Sequence, residues 1–177
     1  KVGEKTVKYP IMVLDKPNGP QRTVATMDMY VNLQHNFKGT HMSRFVEILH
    51  ENKSMINMKN FPEILREIKD KLNADAAHLE VRFPYFIEKE APVTKTPSLL
   101  EYQCRAGGHV DASGDMKEFI VSVSVPINTL CPCSKEISEQ GAHNQRGVVK
   151  VEVTFKRFFW IEDLINIIEG CASSDIY

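Results

Sequence analysis

Two thiols and an imidazole lie close together in this chain: Cys131, Cys133 and His143. Thiolate sulfur and imidazole nitrogen are donors that zinc and its neighbours in the transition series accept. Cys131 and His143 stand twelve positions apart (143 − 131). Each falls beside a segment patterned as a strand, so the intervening loop can close both ends on one ion. Two protein donors are fewer than the four of a closed structural site. A third can come from Cys133, a carboxylate or a residue beyond Tyr177, leaving a position for water. Pro132 stiffens the Cys-Pro-Cys turn, and the i, i+2 spacing makes joint ligation by both sulfurs awkward. One thiolate is therefore expected to ligate and the other to support it. Two other readings use the same residues: cysteines and a surface histidine that ligate nothing, and a catalytic thiol paired with His143. Ser134, Lys135, Asn144, Gln145 and Arg146 add hydrogen-bonding and cationic groups, which suit an anionic, heteroatom-rich ligand.

A second polar cluster runs Lys38-Gly39-Thr40-His41-Met42-Ser43-Arg44. It is expected where a strand hands over to a helix, with free backbone N–H groups at the positive end of the helix dipole. Such an end receives phosphate, and Lys38 and Arg44 add charge-assisted bonds. The alternative is a solvated cap in which Thr40 satisfies the first turn. His35, His50 and His78 fall in polar settings expected to be exposed, and His109 follows Gly107-Gly108 in an expected turn. Trp160 and Phe158-Phe159 are expected to pack rather than to stack on a ligand.

The elements that must carry these residues follow from periodicity. Tyr9 to Leu14 reads as a strand ending at the turn cluster Lys16-Pro17-Asn18-Gly19-Pro20. Thr23 to Leu33 alternates, with Ala25, Met27, Met29 and Val31 on one face. Met42, Phe45, Val46 and Leu49 form a helical stripe. Asn60-Phe61-Pro62-Glu63 resembles a capping box ahead of Ile64, Leu65, Ile68 and Leu72. Strand patterns return at Ala77 to Ile87, around Leu99 to Cys104, at Phe119 to Ile127 and at Val149 to Phe155. A last helix is marked by Trp160, Leu164, Ile165, Ile168 and Cys171. The expected class is α+β, antiparallel sheets with helices layered on one face. The order suggests two tandem units, residues 1–112 (β-β-α-α-β-β) and residues 113–177, the second incomplete by a helix and two strands.

Composition narrows the classes. The 177 residues carry a formal net charge of −1, with 42% hydrophobic and 25% charged residues. No global basic field suggests nucleic acid as a partner. No apolar run approaches the ~20 residues of a membrane-spanning helix, so no membrane partner is expected. Four cysteines, two of them separated by one residue, do not read as a disulfide framework, which favours a reducing cytoplasm.

Two stretches go further. Leu130-Cys131-Pro132-Cys133-Ser134-Lys135-Glu136-Ile137-Ser138 with Gly141-Ala142-His143-Asn144-Gln145-Arg146 resembles the signature of the prokaryotic GTP cyclohydrolases of type IB. Phe37-Lys38-Gly39-Thr40-His41-Met42-Ser43-Arg44-Phe45-Val46-Glu47 is similar to the family's other long motif, and Lys1-Val2-Gly3 through Tyr9-Pro10-Ile11 to its opening. The resemblance implies a tunneling fold assembled through its sheets into a homo-oligomer, a tetramer. It implies conversion of GTP and water to formate and 7,8-dihydroneopterin triphosphate, the entry to tetrahydrofolate and to the deazaguanine of queuosine. Water adds at C8 of the guanine ring, the imidazole ring opens, formate leaves, and the rearranged ribose closes the pterin.

By position, the resemblance makes Cys131 and His143 metal ligands and catalytic residues, with Cys133 in support. The single divalent ion is zinc, manganese or iron(II). The family's other ligands, a glutamate and a later histidine, and its purine-anchoring glutamate have no counterpart here and are expected beyond Tyr177. Lys38, His41, Ser43 and Arg44 are expected to hold the triphosphate, with Lys135 and Arg146 as further cations. A tunneling-fold enzyme that acts on a pterin or purine through a catalytic cysteine is the competing expectation, and a metal-stabilised assembly module a third.

Overall fold

A computed structural model describes residues 1–16, 19–33, 41–52, 59–91, 93–139, 143–154, 159–174 and 176. Expectations that rest on Lys38, Gly39, Thr40, His35, Phe155 or Phe158 lie outside these residues. The elements follow in the order β1 (Val2–Asp15), β2 (Gly19–Asn32), α1 (Ser43–Glu51), α2 (Phe61–Lys71), β3 (Ala76–Glu90) and β4 (Pro97–Val110). Then come β5 (Met116–Leu130), α3 (Pro132–Ile137), β6 (Asn144–Thr154) and α4 (Ile161–Gly170). The six strands form one antiparallel sheet in sequence order. The α+β class and the helix-pair insertion between β2 and β3 are as the periodicity predicts.

Strand alternation builds one apolar face. Ala25, Met27, Met29 and Val31 of β2 are all 0% exposed, and Ala77, Leu79, Val81, Phe83 and Tyr85 of β3 continue the face beside them. Against it α1 buries Phe45, Ile48 and Leu49, α2 buries Phe61, Ile64, Leu65 and Ile68, and α4 buries Ile161 and Ile165. These residues belong to one continuous core. Burial of this kind returns roughly 1.5–3 kcal/mol for each large apolar side chain, which is what holds such short helices in place.

The other face of the sheet is laced by charge. Arg82 pairs with Asp28 at 2.7 Å and also with Glu80, while Arg105 spans Glu80 at 2.7 Å and Glu152 at 3.3 Å. Cross-strand register puts Arg82 opposite both Thr26 and Arg105, so the intervening carboxylates separate like charges that would otherwise repel.

Several local expectations are corrected. The strands run longer than their apolar cores, since polar ends still pair along the ladder. Val46 is 51% exposed and Ile48 takes its place in the buried stripe of α1. The capping box does not form: Asn60 sits at φ −100°, ψ 5° and makes no side-chain cap bond. Glu63 turns instead to Arg66, 3.7 Å away along the helix. Cys171, expected on the apolar stripe of α4, is exposed at its C-cap. Phe159 packs on the core as predicted, and the Lys59 ammonium lies 6.0 Å from the Trp160 ring centre. Among the described residues no helix is long and apolar enough to cross a membrane.

Candidate metal centre

The hairpin of β5 and β6 presents the two donors. Its ladder runs to Leu130 opposite Asn144, so Cys131 leaves one strand where His143 enters the other. The Cys131 N–H donates to the His143 carbonyl at 3.2 Å, which fixes the two backbones side by side. Between them the chain coils into α3, a six-residue helix where the sequence suggests only a loop. Pro132 explains it: at the first helical position its missing N–H costs nothing and its ring pre-sets φ. Cys131 is the N-cap, extended at φ −73°, ψ 116°.

Ser134 ties this turn to His143. Its hydroxyl donates to the Cys131 carbonyl at 3.1 Å and accepts the His143 N–H at 3.1 Å. The Lys135 N–H reaches the Cys131 carbonyl at 3.2 Å, the first bond of the helix. The Ser134 N–H above all, and then the N–H and thiol of Cys133, hold the Cys131 thiol below its ordinary value against the opposing effect of burial. A thiol eased toward thiolate is a better ligand and a better nucleophile.

Cys131 is buried, whereas Cys133, Lys135, His143 and Arg146 are exposed. The donor chemistry, a favoured thiolate and an accessible imidazole carried on bonded backbones, fits a divalent transition cation. Its number does not complete a site: among the described residues no cluster of three or more histidine, cysteine or acidic side chains is arranged around an ion position.

The second cluster is placed elsewhere. α1 packs on α2, and α2 lies over β3 and β4, while the hairpin that carries Cys131 and His143 is built from β5 and β6. His41 precedes α1 and Ser43 is its first residue; both are exposed, as is Arg44. The Arg44 guanidinium donates to the Lys71 carbonyl at 3.2 Å, at the C-terminal end of α2. The expected row of free helix-start N–H groups is reduced, because those of Arg44 and Phe45 already donate to the His41 and Met42 carbonyls at 3.1 Å. Met42 occupies the N-cap.

A concave site that the sequence reading missed lies on the charged face of the sheet. His78 and His109 are direct cross-strand partners with ring centres 5.1 Å apart and planes 23° from parallel. They wall a cavity of about 260 Å³ together with Asp28, Glu80, Glu118 and Arg105. The floor is Gly107 and Gly108, and a Cβ on Gly108 would come within 2.6 Å of the Glu118 carbonyl oxygen. Two expectations fail here. His109 is in strand β4 rather than a turn, and His78 is half-buried with Nε2 enclosed and unpartnered. Alternation in β3 gives the face of His78, but its neighbour is set by register.

Burial first, then the charge of Lys1 and His109, keep the His78 pKa below its ordinary 6.5. A histidine depressed on folding is protonated first in the unfolded chain, so its effect on stability is absent above about pH 6.5 and destabilises progressively below it. Urea midpoints at pH 7.5 and 5.5 are expected to fall on the acid side, and His78→Gln to reduce that fall. An identical drop in the variant refutes the assignment.

The sequence comparisons bear on both clusters. The family described as type I GTP cyclohydrolase folE2 matches residues 1–177. A protein of Syntrophotalea carbinolica named GTP cyclohydrolase FolE2 is 56% identical across the whole of this chain, which covers 65% of that relative. Proteins of the same name from Syntrophus aciditrophicus and Syntrophobacter fumaroxidans are 54% and 53% identical, again across the whole chain, with 69% and 68% of their lengths covered. The chain therefore spans about two thirds of the length of these relatives, and 65% of the first.

Proposed function

The chain belongs to the type I GTP cyclohydrolase folE2 family, and from that premise we propose that the protein converts GTP and water to formate and 7,8-dihydroneopterin triphosphate, a first step toward tetrahydrofolate. The observation that best supports this reading is the backbone bond joining Cys131 to His143, with the Cys131 thiol eased toward thiolate. A divalent ion, zinc, manganese or iron(II), held there supplies Lewis acidity and makes water nucleophilic near neutral pH. Cys131 and His143 serve as its ligands and Cys133 as support. The His143 ring, or a later histidine of the family, would pass protons with solvent as the guanine ring opens. Further donors are needed beyond these two.

Lys38, His41, Ser43 and Arg44 are proposed for the triphosphate, with Lys135 and Arg146 as additional cations. The Lys71 carbonyl takes one of the five guanidinium N–H donors of Arg44, which leaves the others for phosphate. Arg44→Ala is accordingly expected to raise the KM for GTP by about tenfold, the low end for a lost charge-assisted bond, with kcat near wild type. An unchanged KM refutes that placement.

The tunneling fold, two tandem units over residues 1–112 and 113–177, a homotetramer and a cytoplasmic setting belong to the same proposal. Supporting assembly, β1 and β6 are the edges of the sheet, and edge strands offer unpaired backbone groups to another copy.

The deciding experiment is incubation of the metal-loaded, natural-length protein with GTP, following formate and pterin. GTP binding without formate release refutes the reading. The eased Cys131 thiol equally suits a second reading, a cysteine nucleophile acting on a pterin or purine. Loss of activity on chelation favours the first reading, and activity that survives chelation the second.

A further inference from the structure

We propose that Ser134 is a positioning residue that sets the spacing of Cys131 and His143 before an ion arrives; this rests on the metal reading above. Three hydrogen bonds close a ring through these residues: Cys131 N–H to the His143 carbonyl at 3.2 Å, His143 N–H to Ser134 Oγ at 3.1 Å, and the Ser134 hydroxyl to the Cys131 carbonyl at 3.1 Å. Both polar backbone groups of His143 are thereby committed, one to each of the other two members.

The ring matters because the His143 side chain is exposed. The reach of an exposed imidazole toward the Cys131 sulfur is limited by where its backbone is anchored. Ser134 stands three residues after Cys131, at the position in the first turn of α3 where a side chain lies beside the N-cap. The Lys135 N–H bond to Cys131 is supplied by the helix itself and touches nothing on His143. The bridging role needs one group that donates and accepts at once, which a hydroxyl does and a methyl cannot. Ligands whose backbones are already held at their spacing bind an ion with a smaller ordering cost, and partners one shell out from a metal typically contribute about 10–100-fold in affinity.

The test is a cobalt(II) titration of the natural-length protein, following the thiolate-to-cobalt absorption. Cys131→Ala supplies the background without the thiolate. Ser134→Ala is expected to weaken cobalt binding about 10–100-fold, while the absorption at saturation keeps its wild-type position and intensity, because Cys131 still ligates. Ser134→Thr keeps the hydroxyl and is expected to bind as wild type. Ser134→Val has the shape of threonine without the hydroxyl and is expected to bind like Ser134→Ala. The Thr/Val pair decides the matter if the alanine variant fails to fold. Equal affinity for Thr and Val, or wild-type affinity for Ser134→Ala, overturns the proposal. Absence of a thiolate band in the wild type overturns the metal reading instead, and the role of Ser134 with it.

Discussion

Replacing Cys131 by alanine is expected to reduce formate release from GTP by well over about a hundredfold, since partners one shell further out already cost about 10–100-fold. Bound metal per chain should fall in parallel. The thiol is buried, its N–H closes the hairpin onto His143, and the Ser134 N–H favours its ionised form. Cys133 is a poor substitute, because it is exposed on the first turn of α3 and it is the Cys131 backbone that is bonded to His143. Cys133→Ala is therefore expected to retain activity and metal within a few-fold. The same pair separates the two readings of the thiol. A nucleophile lost at Cys131 would abolish turnover without changing metal content, whereas a ligand lost there removes both. Measured metal content and formate yield for the two variants, side by side, decide it. A Cys131→Ala protein that keeps its metal and its turnover ends the argument.

Tyr85→Phe carries the largest expected effect on stability. The Tyr85 side chain is 0% exposed and its hydroxyl donates to Glu162 Oε1 at 2.7 Å. The Lys16 N–H donates to the same oxygen at 2.6 Å, while Oε2 is buried and unpartnered. Burial foremost, and then Glu162, push the Tyr85 pKa far up, so the phenol remains a donor at any working pH. Phenylalanine removes that donor and leaves a buried carboxylate poorly satisfied, at a cost of about 1.5–3 kcal/mol for a bond to a charged group. For a chain of this size that is roughly 3–12 °C in Tm. Glu162→Gln keeps a carbonyl for the tyrosine and sheds the charge, so it should cost less. Thermal unfolding of both variants tests this, and a Tyr85→Phe midpoint within a degree of wild type contradicts it.

Much of the scaffold was legible from residue order. Alternation in Thr23 to Leu33 named the buried face of β2 residue by residue, and the i, i+3, i+4 pattern named that of α2. These signals are local, because a pleat repeats every two residues and a helix every 3.6. The capping box at Asn60 failed for the complementary reason: residue types permitted it, but the backbone enters the helix at φ −100°, ψ 5° rather than in the extended conformation an N-cap takes. Val46 lost its place on the stripe because the axis of α1 is set by α2 and the sheet beneath it.

For the candidate site the same division holds. Cysteine, proline and histidine at fixed spacing marked the candidate donors, and the two long motifs announced the family. The α3 turn, the Ser134 bridge and the stacked pair His78 and His109 needed coordinates. Chemistry resides in side-chain type and short-range spacing, which a sequence states directly. Neighbourhood across strands depends on register, and register is decided by the joint closure of turns, ladder bonds and the buried face over the whole sheet. That is why the sequence by itself could name Cys131 and His143 as partners, while only the folded β5–β6 hairpin decided what holds them together.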